Sequence, residues 1–371
     1  MEKEIFYLPV DILHYFMIDV FRGLGYPEEQ AQVSADVLIE SDLRGIPSHG
    51  VQRLKYYYDR VKNEQHLIRD FEIIKNKEAT AVIDGHHGNG HYIAKNAMQM
   101  AIVKAKKYGL GMVVVRNSTH YGIAGYYALM ATDEGCIGIT GTNARPAVAP
   151  TFGVEPMYGT NPLTFGFPTN DDFPFILDCA TSIIQRGKVE IAAREKKHLH
   201  KGTVIDRKTG RSRIDAAQLL VDFVEQKAAL LPLGGIGEEL SGHKGYGYAT
   251  AVEILSAALQ DGSFLKDLAG LDILGNKIHF NVGHFFIAID PEFFMGLDAF
   301  KSIASAICVG LRESDKAPGE KRIFTAGEKE FEAERIVREK GVPLNKSIQE
   351  DLIFMRNELG LDGYTFEFEE N

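Results

Sequence analysis

Apolar side chains at Leu13, Phe16, Met17, Val20, Phe21 and Leu24 recur at steps of three and four, so the spacing predicts an amphipathic helix over 10–24, closed by Gly25. Pro27 opens a second helix running to about residue 43, with Glu28 and Glu29 at the positive end of its dipole. Gly45 and Pro47 interrupt the pattern, and Ser48 is a candidate cap for a third helix over 52–61. The character then changes. Short apolar runs at 79–84, 111–116 and 136–142 alternate with helical patterns at 92–107 and 122–134. That alternation predicts a parallel or mixed sheet with crossover helices. Beyond it come Gly- and Pro-rich strands and turns, a helix over 183–195 and a basic surface loop over 195–213. A helix over 248–260, a strand over 284–290 and a charged helical tail after 317 complete the chain. No repeat and no clean linker divides it, so two domains would have to interleave.

Composition narrows the class. A chain of 371 residues, 45% hydrophobic and 25% charged, can bury a sizeable globular core. The formal net charge of −10 argues against nucleic acid or an anionic membrane as a partner; an anionic substrate would need local cations. Cys136, Cys179 and Cys308 lie far apart in apolar runs without a CxxC, which fits core packing in a reducing compartment. The N-terminal stretch is acidic where a signal peptide is basic, and no apolar run approaches the ~18 residues of a membrane helix. A cytoplasmic location is expected.

Four stretches carry candidate chemistry. "IDGHHGNGHYIAKNAM" lies between strand and helix, where a dinucleotide fingerprint belongs, but Gly88 and Gly90 are followed by Ile93 and no acidic residue closes the second strand. His86, His87 and His91 lack a carboxylate or cysteine at ligand spacing, so a polar turn and no metal is expected. "GIGEELSGHKGYG" approaches a phosphate loop, yet His243 intrudes and Gly245 replaces the magnesium-binding hydroxyl. Glycines, Lys244 and a following helix still suit a phosphate or pyrophosphate, with a flexible loop as the alternative. His120 follows a buried strand, where open sheets place ligands and where an imidazole suits proton transfer. His49 and Arg53, four residues apart, would share a helix face, and a guanidinium grips a carboxylate bidentately; a plain surface pair is the alternative.

In chain order, "DLRGIPSHGVQR", "VRNSTHYGIAGYY", "TNARPAVAPTFG", "YGTNPLTFGFPT", "LDCATSIIQRGKVEIAAR" and "LLPLGGIGEELSGHKGYG" resemble the type 2 malate/L-lactate dehydrogenase family, over most of the chain. The resemblance implies NAD- or NADP-dependent hydride transfer on an α/β, three-layer, mixed-sheet, non-Rossmann fold. It implies an NAD(P)-binding domain over 76–290, a helical, dimerising domain from 1–75 plus 291–371, and a homodimer. It assigns acid–base chemistry to His120 and His49, and the substrate pocket to Ser48, Arg53 and Asn143. Asp178, Ala180, Thr181, His243, Lys244 and Gly245 match cofactor segments, as do Pro318, Gly319 and Glu320 more loosely. Two departures stand out: no tryptophan in "EKKHLHKGTVID", and Ala144 where some members carry lysine. The "NARPAVAP" wording is closer to malate-type members. The expected substrate is therefore malate/oxaloacetate, with a cyclic imino acid, lactate, sulfolactate or ureidoglycolate as alternatives, and non-catalytic nucleotide binding as the non-enzyme alternative. Arg207, Lys208, Arg211 and Arg213 are candidates to meet a 2′-phosphate if the cofactor is NADP.

Overall fold

The computed structural model describes residues 5–272 and 274–369. The chain begins with β1 (Phe6–Leu8), α1 (Val10–Gly23) and α2 (Glu28–Leu43), then two 3-10 turns at Pro47–His49 and Val51–Arg53, and α3 (Leu54–Lys62). The sheet segment follows with β2 (Glu72–Asn76), β3 (Thr80–Asp84), α4 (Gly90–Tyr108), β4 (Leu110–Ser118), α5 (Gly125–Asp133), β5 (Ile137–Thr142), β6 (Leu163–Phe167) and β7 (Phe175–Cys179). Next are α6 (Arg186–Arg194), β8 (Val204–Asp206), α7 (Ala216–Val224), β9 (Ala228–Leu230), α8 (Gly242–Ala257) and β10 (Val282–Ile289). The chain closes with α9 (Leu297–Arg312), α10 (Glu328–Lys340), β11 (Val342–Leu344) and α11 (Lys346–Leu359).

Seven strands form one sheet in the order β2-β3-β4-β10-β5-β6-β7. Only β3 and β4 pair in parallel, through the α4 crossover; every other pair is antiparallel. The sheet is mixed because β10, arriving late in the chain, inserts between β4 and β5. Its run "VGHFFIAI" is covered on both faces, which explains an almost continuous apolar strand instead of an alternating one. α4 and α5 pack on one face and α8 on the other, giving three layers.

A separate helical core joins the two ends of the chain. Leu13, Phe16, Met17, Leu38 and Leu54 pack with Leu352, Met355 and Phe366. β1 pairs antiparallel with β11. α2 is buried on most sides because it lies against α1, α4 and α10, which holds its C-terminal end at the boundary between the helical core and the sheet. Among the described residues no helix is long and apolar enough to cross a membrane.

Three local expectations need correction. The third helix does not include His49: Gly50 has ψ −143° and splits the segment into two 3-10 turns before α3 starts at Leu54. The cause is Asp42, which accepts the Val51 N–H at 2.7 Å and sits where a Cβ on Gly50 would lie 1.9 Å from its carboxylate. Ser48 consequently caps no helix. The stretch 195–213 is no plain loop, since it contributes β8, which pairs with β9. α8 begins at Gly242, earlier than its apolar pattern suggested, because the first turn is made of glycine and polar residues.

Candidate active site

Ser48, His49, Arg53 and His120 line one cavity of about 410 Å³ together with Asn143, Asp178 and Ala180. The cavity lies at the boundary between the helical core and the sheet. His49 and Arg53 enter it from the two 3-10 turns, not from one helical face. Ser48 Oγ lies 2.9 Å from His49 Nδ1, and Arg53 donates its Nε–H to the Ser48 carbonyl at 2.8 Å. Among the described residues no carboxylate meets the rest of the Arg53 guanidinium, which leaves it available for an anion.

His120 arrives from the end of β4 and stacks on His49, ring centroids 5.5 Å apart and 23° from parallel. Its Nδ1 lies 2.6 Å from the hydroxyl of Tyr57 on α3, and that hydroxyl lies 3.0 Å from Nε2 of His91 on α4. Asn89 caps α4 by accepting the His91 N–H, and its amide reaches Ser34 on α2, which fixes where His91 sits. The Gly122 N–H donates to His120 Nδ1 at 3.3 Å. A hydroxyl can donate to one ring while accepting from the other, so Tyr57 serves either tautomer of His120. His120 Nε2 is the ring nitrogen left for the cavity.

Burial and nearby cations keep these rings neutral. His120 is held well below the ordinary imidazole range by desolvation, and then by His49, Arg53, His91 and His66. His49 is pushed down to about 4 by burial and Arg53, and His91 to about 3 by burial. Asp42, behind the turns, is pushed up to about 8 by burial, against the Val51 N–H that favours its charged form. It is therefore a neutral acid at pH 7.

The remaining expected residues divide. Asn143 lines the cavity, but its amide donates to the Ser263 carbonyl at 3.1 Å and accepts the Gly283 N–H at 2.8 Å, so it anchors the loop after β5. Asp178 accepts the Gly125 N–H and the Thr164 hydroxyl, tying β7 to the start of α5. Thr181 turns inward and donates to the carbonyls of Thr160 and Asn161. His243 and Lys244 are exposed in the first turn of α8, outside the cavity lining. Gly245 is required for packing: a Cβ there would lie 2.1 Å from the Leu233 carbonyl oxygen. Leu233 in turn donates to the Thr181 carbonyl, which is how this segment reaches the cavity wall. Pro318, Gly319 and Glu320 form an exposed turn after α9, also outside the lining. In the basic segment, Arg213 pairs with Asp206 and Asp222, and Arg207 donates to the Gln226 carbonyl. These two arginines tie the β8–β9 unit together.

The sequence reading passed over Tyr57, Arg60 and Arg145, and placed His91 in a turn. A Tyr among three consecutive tyrosines carries no motif signal. His91 did carry one: an Asn cap two residues before it puts it in the first helical turn.

A non-Rossmann mixed sheet, with a neutral histidine beside an arginine suited to a carboxylate, defines an oxidoreductase acting on small 2-hydroxy or 2-oxo acids. The chain belongs to the malate/L-lactate dehydrogenase family, whose model matches residues 8–353. It is 42% identical over 357 residues to a malate dehydrogenase of Pyrococcus horikoshii, covering 96% of each chain. It is 40% identical to an L-sulfolactate dehydrogenase of Methanocaldococcus jannaschii, over 93% of this chain and 95% of the relative. The crystal structure of malate dehydrogenase from Entamoeba histolytica superposes with TM-score 0.92 at 42% identity, covering 98% of this chain and 100% of that one.

Membership in the family implies a nicotinamide cofactor, and the cavity fits one. Gly122, Ala124 and Ala180 give a small-residue stretch of wall against which a flat ring can lie, with Ile123 beside them. The first residues of α6, Arg186 and Gly187, also line the cavity, and nothing lies within 4 Å of where a Gly187 Cβ would be. A helix start at which, among the described residues, the Arg186 and Gly187 N–H groups have no partner suits a pyrophosphate.

Proposed function

We propose that the protein interconverts malate and oxaloacetate with NAD or NADP, in the cytoplasm and as a homodimer. The observation that carries the reading is the meeting of His120, His49 and Arg53, from separate segments, at one cavity. The malate-type wording of "NARPAVAP" and the malate dehydrogenase relatives support the choice of substrate. The dimer is supported by an apolar stripe on α9, where Ile303, Ile307 and Leu311 stand 64%, 59% and 55% exposed. The helical domain of 1–75 plus 291–371 would carry that contact, leaving 76–290 to hold the cofactor.

When bound, the nicotinamide supplies the hydride acceptor or donor. Arg53 grips the substrate carboxylate and fixes the orientation of C2. In the tautomer that carries its proton on Nδ1, donated to Tyr57 at the expense of the longer Gly122 contact, neutral His120 accepts the hydroxyl proton at Nε2 as the alcohol is oxidised. In the reverse direction the same nitrogen returns the proton to the ketone. Desolvation and then the nearby cations hold the His120 pKa down, and a substrate carboxylate beside the ring acts against them, favouring the protonated form. Ser48 orients His49, which packs against His120 and keeps water from it. Asp178 and Ala180, with the start of α6, would hold the cofactor; Thr181 supports them from behind, and the Leu233–Gly245 contact links them to His243 and Lys244. The exposed turn at Pro318, Gly319 and Glu320 would close over the cofactor's outer end.

The test follows nicotinamide absorbance with malate, lactate, sulfolactate, ureidoglycolate and a cyclic imine, each with both cofactors. Malate should give the highest kcat/KM. Faster turnover of the imine would replace the proposal with an imino-acid reductase, and cofactor binding without any turnover would leave a nucleotide-binding protein.

A further inference from the structure

The charge of the cavity exceeds what a monoanionic acid requires. Four guanidinium groups line it, from Arg53, Arg60, Arg145 and Arg186, against the single carboxyl of Asp178, in a chain of formal net charge −10. Asp178 is committed to Gly125 and Thr164. Arg186 pairs with Glu190 at 3.2 Å. Arg60 donates to Gln65 at 2.6 Å and lies over the rings of Phe280 and Tyr56. Arg145 stands apart. Among the described residues its exposed guanidinium has no carboxylate or hydrogen-bond acceptor, and it shares the cavity lining with Arg60 and Arg186. Its backbone is nevertheless fixed, because Asn143, two residues earlier, is clamped between Ser263 and Gly283.

Arg145 is also placed away from the reacting end. Arg53 and Arg60 flank the Tyr56 ring, 5.9 and 5.0 Å from its centroid, and Arg145 shares with Tyr56, Arg60 and Phe280 an adjoining recess that His49, Arg53 and His120 do not line; Asp59, also on that recess, is paired with Lys55. His120, by contrast, stacks on His49, four residues before Arg53. Cations gathered without counter-charge repel one another, and an arriving anion relieves that repulsion.

We propose that Arg145 binds a second anionic group of the substrate, at the end remote from the carboxylate on Arg53, so that the cavity selects dianionic 2-hydroxy acids over monoanionic ones. The inference rests on the 2-hydroxy-acid reading of the site. It covers a C4 dicarboxylate and a 3-sulfo acid alike, since both present two anionic ends.

The experiment is steady-state kinetics of the full chain and its Arg145→Gln and Arg145→Lys variants with malate, 3-sulfolactate and lactate at saturating cofactor. Arg145 makes no structural contact that the substitutions would break, so both variants should keep the thermal midpoint of the wild type. Arg145→Gln should lower kcat/KM for both dianions by about 100-fold or more, chiefly through KM. Lactate turnover should change less than about threefold, and Arg145→Lys should fall between. An unchanged ratio of malate to lactate kcat/KM would overturn the proposal. So would a loss that appears in the KM of the cofactor instead, which would give Arg145 to a cofactor phosphate. If the wild type turned over none of these acids, the 2-hydroxy-acid reading itself would fall first, and this inference with it.

Discussion

The two walls of the cavity hold their nitrogen groups in opposite surroundings. One wall is built of His49, His120 and, behind them, Tyr57 and His91; the other of Arg60, Arg145 and Arg186. The rings are mostly buried, whereas the side chains of Arg145 and Arg186 are exposed. On the imidazole side burial suffices to remove the charge, because a histidine gives up its proton at little cost. On the guanidinium side the charge persists, because these groups keep contact with water and arginine stays protonated throughout the working pH range. α3 serves both: Tyr57 faces the rings and Tyr56 the cations. One wall is thus fitted to move a proton and the other to hold an anion, with Arg53 at the join.

The largest way to break this division is His120→Gln, which should lower kcat by about 100-fold or more with little change in cofactor affinity, measured by stopped-flow and fluorescence titration. Near-normal kcat would take proton transfer away from this wall. Arg53→Gln should act on the other coordinate, raising the KM for malate by roughly 100-fold; an unchanged KM would show that the carboxylate is held elsewhere. Tyr57→Phe sharpens the comparison. Losing one hydrogen bond to Nδ1 should reduce kcat by about 10-fold, and the pH profile of kcat should move, whereas a merely structural role would leave the profile where it was.

The smallest effect is on stability. His91, His66 and His284 are pushed to about 3, and His49 to about 4, so they stay neutral in the fold. The unfolded chain protonates them near 6.5, the ordinary imidazole value. Their contribution is complete above that pH and lost progressively as pH falls towards 3. Asp42 opposes it: pushed up to about 8 from 3.8, it contributes fully below 3.8 and loses that as pH rises through 8. Thermal midpoints should therefore fall from pH 6.5 to 4, and the Asp42→Asn variant should lose the decline between pH 6 and 8. A midpoint that climbs on acidification would contradict the buried, neutral rings.

Much of this was legible in the residues. The period-3.6 pattern of Leu13 to Leu24 and the apolar runs of β3, β4 and β5 read directly, because each element is covered on a definite face. His120 and Arg53 read as candidates from their positions after a strand and before a helix. What did not read were effects of distant packing. Gly50 breaks its helix only because Asp42, eight residues back, occupies the space its side chain would need. That Gly245, in a segment with the look of a phosphate cradle, also lets one backbone pass close to another at Leu233 did not read either. Tyr57 and Arg145 became visible only once the sheet brought their neighbours to them. β10 belongs to the same group: nothing local in "HFFIAID" says that it will lie between β4 and β5.

That late insertion has a consequence for synthesis. Residues 72–142 emerge from the ribosome with β4 and β5 still lacking the strand that separates them. Their exposed edges must wait more than a hundred residues for β10, and the first strand waits longer still for β11. Nascent chains of this protein therefore spend much of translation with unpaired edges, the condition under which aggregation competes with folding. A truncation anywhere before residue 282 removes the middle of the sheet.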